Sequence, residues 1–104
     1  ILNEEFQNDN LGNCFNISNH PNPFNLATTV KFSIQNDSNI ELSIYNIKGQ
    51  KIKTLAQNEF AKGNYSIVWD GDDEKGYSAN SGIYFYKLNI NDKIEAVKKC
   101  LLLK

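Results

Sequence analysis

The chain has 104 residues, which is enough for one domain with a two-layer core and too few for two independent domains. Its formal net charge is -1, so it presents no field of one sign that would attract nucleic acid or an anionic membrane surface. No apolar run approaches the roughly 20 residues that span a bilayer, and we expect no transmembrane segment and no nucleic-acid partner.

The first part of the chain lacks the pattern of a folded element. Residues 1–13 mix acids and amides with isolated apolar residues and keep no helical or strand period. We therefore predict a linker from an upstream domain over 1–13 and a folded domain over 14–104. Because the sequence has no Met and no basic-then-apolar leader, we expect it to be a piece of a longer precursor.

Short runs with alternating apolar and polar residues predict β-strands. A first run at 15–18 precedes a loop in which Pro21 and Pro23 remove two backbone donors. The alternation is cleanest at 29–34 and 40–44, where the apolar residues of each run share one face. Because only turn-forming residues separate these two runs, we predict that they pair as a hairpin.

The strand pattern continues through the second half of the chain. A lysine-bearing run at 51–55 is typical of a strand that protects a sheet edge, and 54–60 is the one stretch with some helical character. Apolar residues at 65, 67 and 69 share a face, whereas the run at 83–88 is apolar on both faces and should be central. A final strand is predicted over 93–103. The predicted fold is an all-β antiparallel sandwich of about seven strands.

An acidic cluster follows Trp69, a predicted core residue. Its members are Asp70, Asp72, Asp73 and Glu74. A calcium loop of the helix-loop-helix type would need Gly and Glu where Lys75 and Ser81 stand. We favour a turn whose Asp side chains accept hydrogen bonds from backbone amides while neighbouring glycines take positive φ. A weak calcium site at the three aspartates stays open as an alternative.

No arrangement in the sequence points to catalysis. His20 is the only histidine, and no nucleophile motif accompanies it. His20 and two cysteines are too few for a zinc site, so we expect no metal and no cofactor. Because no nucleophile motif is present, we also expect no enzymatic activity. Cys14 and Cys100 lie near opposite ends of the domain, and the sequence leaves open whether they form a disulfide or stay unpaired and buried.

Two groups of side chains are candidates for binding a partner. The five tyrosines are Tyr45, Tyr65, Tyr77, Tyr84 and Tyr86, and they either form a platform for sugars or pack across strands. Lys98 and Lys99 are neighbours on a strand, so one of them must lie on the face that Ala96, Cys100 and Leu102 occupy. This pair either protects a sheet edge or contacts a receptor together with 101–103.

Several short motifs follow one another along the chain. They are Asn22-Pro23-Phe24-Asn25 with Thr28-Thr29, the segment 44–50, Gly63-Asn64-Tyr65, Trp69-Asp70-Gly71, Ser81-Gly82-Ile83-Tyr84-Phe85-Tyr86 and Lys98-Lys99. In this order and spacing the chain, from Ile17 to Lys104, resembles the C-terminal sorting domain of the type IX (Por) secretion system. The form it resembles is the one related to the immunoglobulin-like domain of the flagellar hook-capping protein.

This resemblance implies an immunoglobulin-like, non-catalytic module that directs an attached cargo protein across the outer membrane. The implied partners are the outer-membrane secretion machinery, a sorting peptidase and a covalently attached upstream cargo domain. The implied location is the periplasm in transit, then the cell surface or the extracellular space. An alternative function, suggested by the tyrosines, is an accessory β-sandwich module that binds polysaccharide or the cell surface.

The resemblance also assigns roles to particular residues. Gly82, Tyr84, Lys98 and Lys99 would belong to the features that the translocon recognises. Pro21, Asn22, Pro23 and Phe24 would form the first loop motif. The chain departs from the family pattern at Leu26 and Ala27, where Pro-Ser is more common, and at Cys100, where an aliphatic residue is usual.

Overall fold

The computed structural model describes the backbone of residues 14–104 and the side chains of residues 17–104. The predicted linker at 1–13 lies outside the described residues. Residues 14–104 contain no apolar helix of membrane-spanning length.

Two antiparallel sheets make up the described domain. Its strands are β1 (Cys14–His20), β2 (Thr28–Ile34), β3 (Ser38–Asn46), β4 (Lys51–Phe60), β5 (Gly63–Trp69), β6 (Gly82–Ile90) and β7 (Lys93–Leu102). One sheet has the order β1-β2-β5 and the other has the order β4-β3-β6-β7. The predicted immunoglobulin-like antiparallel sandwich is therefore confirmed, and β6 is an interior strand as its two apolar faces predict.

The period-2 alternation places one face of each strand in the core between the sheets. The buried residues contributed by the central strands are Val30, Phe32, Ile34, Ile40, Leu42, Ile44, Tyr84, Tyr86, Leu88 and Ile90. Trp69 at the end of β5 is fully buried, which confirms its predicted place in the core. Because a buried aromatic side chain removes a large apolar area from water, Trp69 is a major contributor to stability.

The prediction that the runs at 29–34 and 40–44 form a hairpin is wrong. β2 pairs with β1 and β5, whereas β3 pairs with β4 and β6 in the other sheet. The connection between them crosses from one sheet to the other, so their apolar stripes face each other through the core. Alternation indicates which face of a strand is buried, but it does not indicate which strand lies beside it.

The helical character expected at 54–60 is also wrong. This segment is the second half of β4, which runs along β3 to the pair Ser38 and Phe60. The ladder contains register shifts after Leu42 and after Ile44, and these shifts disturb the alternation along the strand. β4 is an edge strand, as its lysines predict.

The connections separate into two ends of the sandwich. The loop end carries 21–27, 47–50, 70–81 and 103–104, as the pairs Thr28 with Trp69 and Gly82 with Leu102 require. The opposite end carries the first residue of β1, which pairs with Ile34. The chain therefore enters the domain at one end, and β7 finishes at the other.

Candidate recognition edge

β7 lies at the edge of the four-stranded sheet and presents the two predicted recognition lysines differently. Lys98 pairs with Tyr86 on the face that also bears Cys100, and it is half-buried. Lys99 pairs with Phe85 on the outer face and is exposed. The prediction that one lysine must lie on the inward face is confirmed, and that lysine is Lys98.

A loop covers part of the edge of β7. The backbone N–H of Phe24 donates to the carbonyl of Leu101 at 2.9 Å, and the N–H of Leu103 donates to the carbonyl of Phe24 at 2.8 Å. Asn22 adds two side-chain contacts, because its Oδ1 accepts from the N–H of Leu101 at 3.0 Å and its Nδ2 lies 3.4 Å from the carbonyl of Lys99. We call residues 100–102 the covered part of β7 and residues 93–99 its open part.

Packing of Phe24 anchors this loop. The side chain is buried, with its ring centroid 5.4 Å from that of Trp69, and Trp69 in turn contacts Tyr84 edge-on at 5.3 Å. Gly71 has a φ of 73° and approaches the same ring, since a Cβ built there would lie 3.7 Å from Cε2 of Phe24. The first loop motif is therefore continuous with the aromatic core.

A chain of hydrogen bonds fixes the other side of the loop. The Tyr86 hydroxyl donates to Oδ1 of Asn19 at 3.0 Å, and Nδ2 of Asn19 donates to Oγ1 of Thr28 at 3.0 Å. The Thr28 hydroxyl then donates to the carbonyl of Pro21 at 2.8 Å. Burial, with a smaller contribution from Cys100, raises the pKa of Tyr86 above its ordinary value. The phenol is thus a neutral donor that links β6 to the loop through β1 and β2.

Gly82 and Tyr84 lie opposite the last residues of β7. Gly82 opens β6 with a φ of 154° and pairs with Leu102, while Tyr84 pairs with Cys100. Tyr84 is only 7% exposed, and its hydroxyl donates to the carbonyl of Asn80 at 2.6 Å. Burial raises its pKa. The side chain of Tyr84 thus faces the core, and the recognition role that the resemblance gives to these residues stays a prediction.

Cys100 is a free thiol at the centre of this region. It is 1% exposed, and burial raises its pKa to about 12. The unpaired alternative is therefore favoured, although the side chain of Cys14 lies outside the described residues. A protonated, inaccessible thiol acts as a small apolar residue at a position where the family pattern has an aliphatic one.

The acidic cluster is built into a turn that packs on the edge of β4. Both carboxylate oxygens of Asp72 contact Nζ of Lys53, at 2.9 and 3.0 Å. Oδ1 of Asp73 accepts from the N–H groups of Lys75 and Tyr77, and Oε2 of Glu74 accepts from the N–H of Thr54 at 2.6 Å. This confirms the predicted turn. In the described part of the chain no group of three or more His, Cys, Asp or Glu residues is arranged to hold a metal ion.

The tyrosines do not form one exposed platform. Tyr84 and Tyr86 are buried, and Tyr65 stacks on Phe32 with ring centroids 5.6 Å apart. Tyr77 is exposed on a loop, whereas Tyr45 lies on the outer face of the four-stranded sheet. Cross-strand and core packing explain most of these residues, so the polysaccharide alternative loses the feature that suggested it.

The outer face of β6 and β7 carries apolar side chains that the sequence analysis did not single out. Ile94 is 62% exposed and Val97 is 40% exposed, and Phe85 is half-buried beside Lys99. Nζ of Lys87 lies 4.4 Å from the ring centroid of Tyr45. The alternation at 93–103 could have predicted the apolar residues on this outer face, because residues 97, 99, 101 and 103 share one face of a strand.

Comparison with known proteins gives a family and a set of similar folds. Residues 20–93 match the FlgD Ig-like domain family. The fold is similar to dimeric latent PorU from Porphyromonas gingivalis, with a TM-score of 0.74 and 20% identity over 91% of this chain and 10% of that one. It is also similar to FLGD from P. aeruginosa, with a TM-score of 0.57 and 23% identity over 72% of this chain and 60% of that one.

A third similar structure is PorZ, described as an essential bacterial surface component of the type-IX secretion system of Porphyromonas gingivalis. Its TM-score is 0.54, with 17% identity over 85% of this chain and 11% of that one. No curated protein sequence matches this chain. The chain thus corresponds to about a tenth of each Por protein, and at these identities the likenesses concern the fold.

Proposed function

Because the chain belongs to the FlgD Ig-like domain family, we propose that it is a non-catalytic C-terminal sorting domain of the type IX secretion system. In this proposal the domain directs an attached cargo protein across the outer membrane. The likeness to a fold within PorZ supports it, since PorZ is described as a component of the type-IX secretion system. A similar fold lies within PorU of the same organism. The ordered motifs from Asn22 to Lys99 support it further.

The observation that carries the proposal is the placement of the basic pair. Lys99 is exposed on an edge strand, and the loop motif at Asn22 and Phe24 holds the following residues of that strand in place. A signal that another protein must read requires a rigid, accessible feature, because ordering a mobile segment on binding costs conformational entropy. The edge of β7 provides such a feature.

The course of the chain suits a module fused behind another domain. β1 begins at the end of the sandwich opposite the covered part of β7. A seven-residue strand spans about 20 Å, so a preceding domain would be attached well away from the covered part of β7. Lys98 and Lys99 lie between the two ends, opposite Tyr86 and Phe85 of β6. The last residues of β7 therefore stay accessible while the cargo is attached.

The proposal also implies particular partners and a location. The partners are the outer-membrane secretion machinery, a sorting peptidase and the upstream cargo domain. The domain passes through the periplasm and reaches the cell surface or the extracellular space with its cargo. It assigns no reaction to the chain itself, so every catalytic step belongs to the partners.

A reporter fusion tests the proposal. The chain is placed behind a signal peptide and a reporter enzyme in a host that has a type IX system, and the reporter is assayed on the cell surface, in the medium and in the periplasm. We expect the wild-type fusion to reach the surface or the medium. The double variant Lys98→Ala, Lys99→Ala should accumulate in the periplasm.

The matched control replaces two exposed lysines away from β7, Lys31 and Lys62, by Ala. This control removes the same charge and should be exported like the wild type. Periplasmic retention of the wild-type fusion would contradict the sorting function. Normal export of the Lys98 and Lys99 double variant would contradict the role of the basic pair.

A further inference from the structure

The open part of β7 presents backbone groups that the described residues leave unpaired. The backbone groups of Leu101 and Leu103 form hydrogen bonds with the loop, so they point away from β6. In an antiparallel strand every second residue points its N–H and C=O to the same side, so other residues of β7 also point these groups away from β6. By the same alternation, the N–H and C=O of Val97 and the N–H of Lys99 point to this open side. Such groups form a template for an added strand.

A bulge limits the length of this template. The ladder between β6 and β7 shifts register after Leu88, which leaves Glu95 as the extra residue. The regular open stretch is therefore short and centred on Val97. Three backbone groups suit a transient contact that is made and released.

The charges around Val97 favour one kind of partner. Residues 93–99 contain three lysines and one glutamate, a formal charge of +2 in a chain whose net charge is -1. Lys87 pairs with Val97 on the neighbouring strand, and the ion pairs of the described residues are Lys51 with Glu41 and Lys53 with Asp72. The positive charge at this edge is therefore not neutralised by an ion pair within the described residues.

We infer that the open part of β7 docks an extended acidic segment of a partner protein, which adds beside Val97 as a further strand of the four-stranded sheet. This inference rests on the proposed function and names the chemistry by which the export machinery reads the domain. Backbone pairing gives the segment its direction and register, while its carboxylates lie near Lys87 and Lys99. The covered part of β7 is not open to this partner because Asn22 and Phe24 already occupy its edge.

A second copy of the chain is a less suitable occupant. Two β7 edges brought together would each carry the +2 charge of residues 93–99, which opposes pairing. These lysines thus disfavour pairing with a basic strand or a second copy of β7, and they favour pairing with an acidic strand.

The first test uses synthetic peptides with the isolated chain. A ten-residue peptide of alternating Val and Glu is titrated against the labelled protein, and backbone amide shifts are followed by NMR. We expect shifts at Val97 and Lys99 that saturate, and none with the matched peptide of alternating Val and Lys. Absence of shifts with the Glu peptide overturns the inference, and so does an equal response to both peptides.

Two variants separate backbone pairing from charge. Val97→Pro removes the outward N–H without removing a bond to β6, whereas Val97→Thr keeps it. Lys99→Glu changes an exposed side chain only, with Lys31→Glu as its control. We expect Val97→Pro and Lys99→Glu to weaken Glu-peptide binding at least tenfold, while Val97→Thr and Lys31→Glu bind normally. Normal binding by Lys99→Glu overturns the charge argument even where Val97→Pro fails to fold.

The reporter assay separates this inference from the proposed function. Export of the wild type with equal export of Val97→Pro and Lys99→Glu overturns the docking edge and leaves the sorting function standing. Saturable binding of the Glu peptide with no export of the wild type supports the edge and contradicts the sorting function. Amide shifts at Val97 that depend on protein concentration without peptide would assign the edge to a second copy and overturn the inference.

Discussion

The side-chain oxygen of Asn22 accepts a hydrogen bond from the backbone N–H of Leu101 at 3.0 Å, although the two residues are 79 positions apart. The amide of Asn22 thus imitates a peptide group of a neighbouring strand, and Phe24 continues the imitation with its own backbone. The last residues of β7 therefore have hydrogen-bond partners on both sides.

Replacing Asn22 by Ala should loosen the covered part of β7. We expect a loss of about 1 kcal/mol in the free energy of unfolding, because one well-formed hydrogen bond to the backbone disappears. Amide exchange at Leu101 should accelerate more than exchange at interior positions of β6. Asn25→Ala, at an exposed position of the same loop, is the control. Unchanged protection of Leu101 would show that Phe24 alone holds the strand.

Trp69→Ala should nearly unfold the domain. The indole is fully buried between Phe24 and Tyr84, and its N–H donates to the carbonyl of Asp72 at 2.9 Å. Truncation of such a residue costs about 3–5 kcal/mol, a large part of the stability of a small domain. Chemical denaturation followed by circular dichroism measures the change, with Tyr77→Ala as an exposed control. A cooperative transition within about 1 kcal/mol of wild type would contradict the assignment of this core.

The sequence predicted the faces of the strands better than it predicted their neighbours. The stripe at Val30, Phe32 and Ile34 is buried as expected, since alternation follows directly from strand geometry. Pairing depends on which apolar faces meet through the core, and two runs with the same stripe look alike whether they lie side by side or face to face. The hairpin predicted between the runs at 29–34 and 40–44 was wrong for this reason.

The candidate edge was predicted only in part, for a similar reason. A basic pair on a final strand is visible in the sequence, and the inward position of Lys98 follows from alternation. The cover that Asn22 and Phe24 form depends on contacts between residues far apart in the chain, and no local period encodes such contacts. The division of β7 into covered and open parts therefore required the fold.

Alkaline solution should destabilise the domain from about pH 9 upward, starting at the ordinary pKa of a thiol. Burial raises the pKa of Cys100 to about 12, and it also raises the pKa values of Tyr84 and Tyr86. The folded state then holds protons that the unfolded state releases, so stability is intact below the unfolded-state pKa and falls as pH rises toward the folded value. Each such group lowers stability by at most about 1.4 kcal/mol per pH unit.

Thermal melts between pH 7 and pH 11 measure this effect. Cys100→Ala should show a shallower decline between pH 9 and pH 10, because the thiol is the first of these groups to lose its proton in the unfolded chain. Labelling of Cys100 with a thiol reagent at pH 8 should follow global unfolding, because the group is 1% exposed. Rapid labelling of the folded protein would contradict its burial.

The acidic turn should behave as a structural element rather than a calcium site. Asp72 pairs with Lys53 through both carboxylate oxygens, and both side chains are about three-quarters buried, with exposures of 23% and 26%. We expect Asp72→Asn to cost about 1 kcal/mol, with a smaller cost at high salt, since the pair is partly screened by water. Asp70→Asn, at an exposed position, is the control. A double-mutant cycle with Lys53→Met isolates the pair, and millimolar Ca²⁺ should leave the melting temperature of the wild type unchanged. A calcium-dependent rise that Asp72→Asn abolishes would instead favour the calcium alternative.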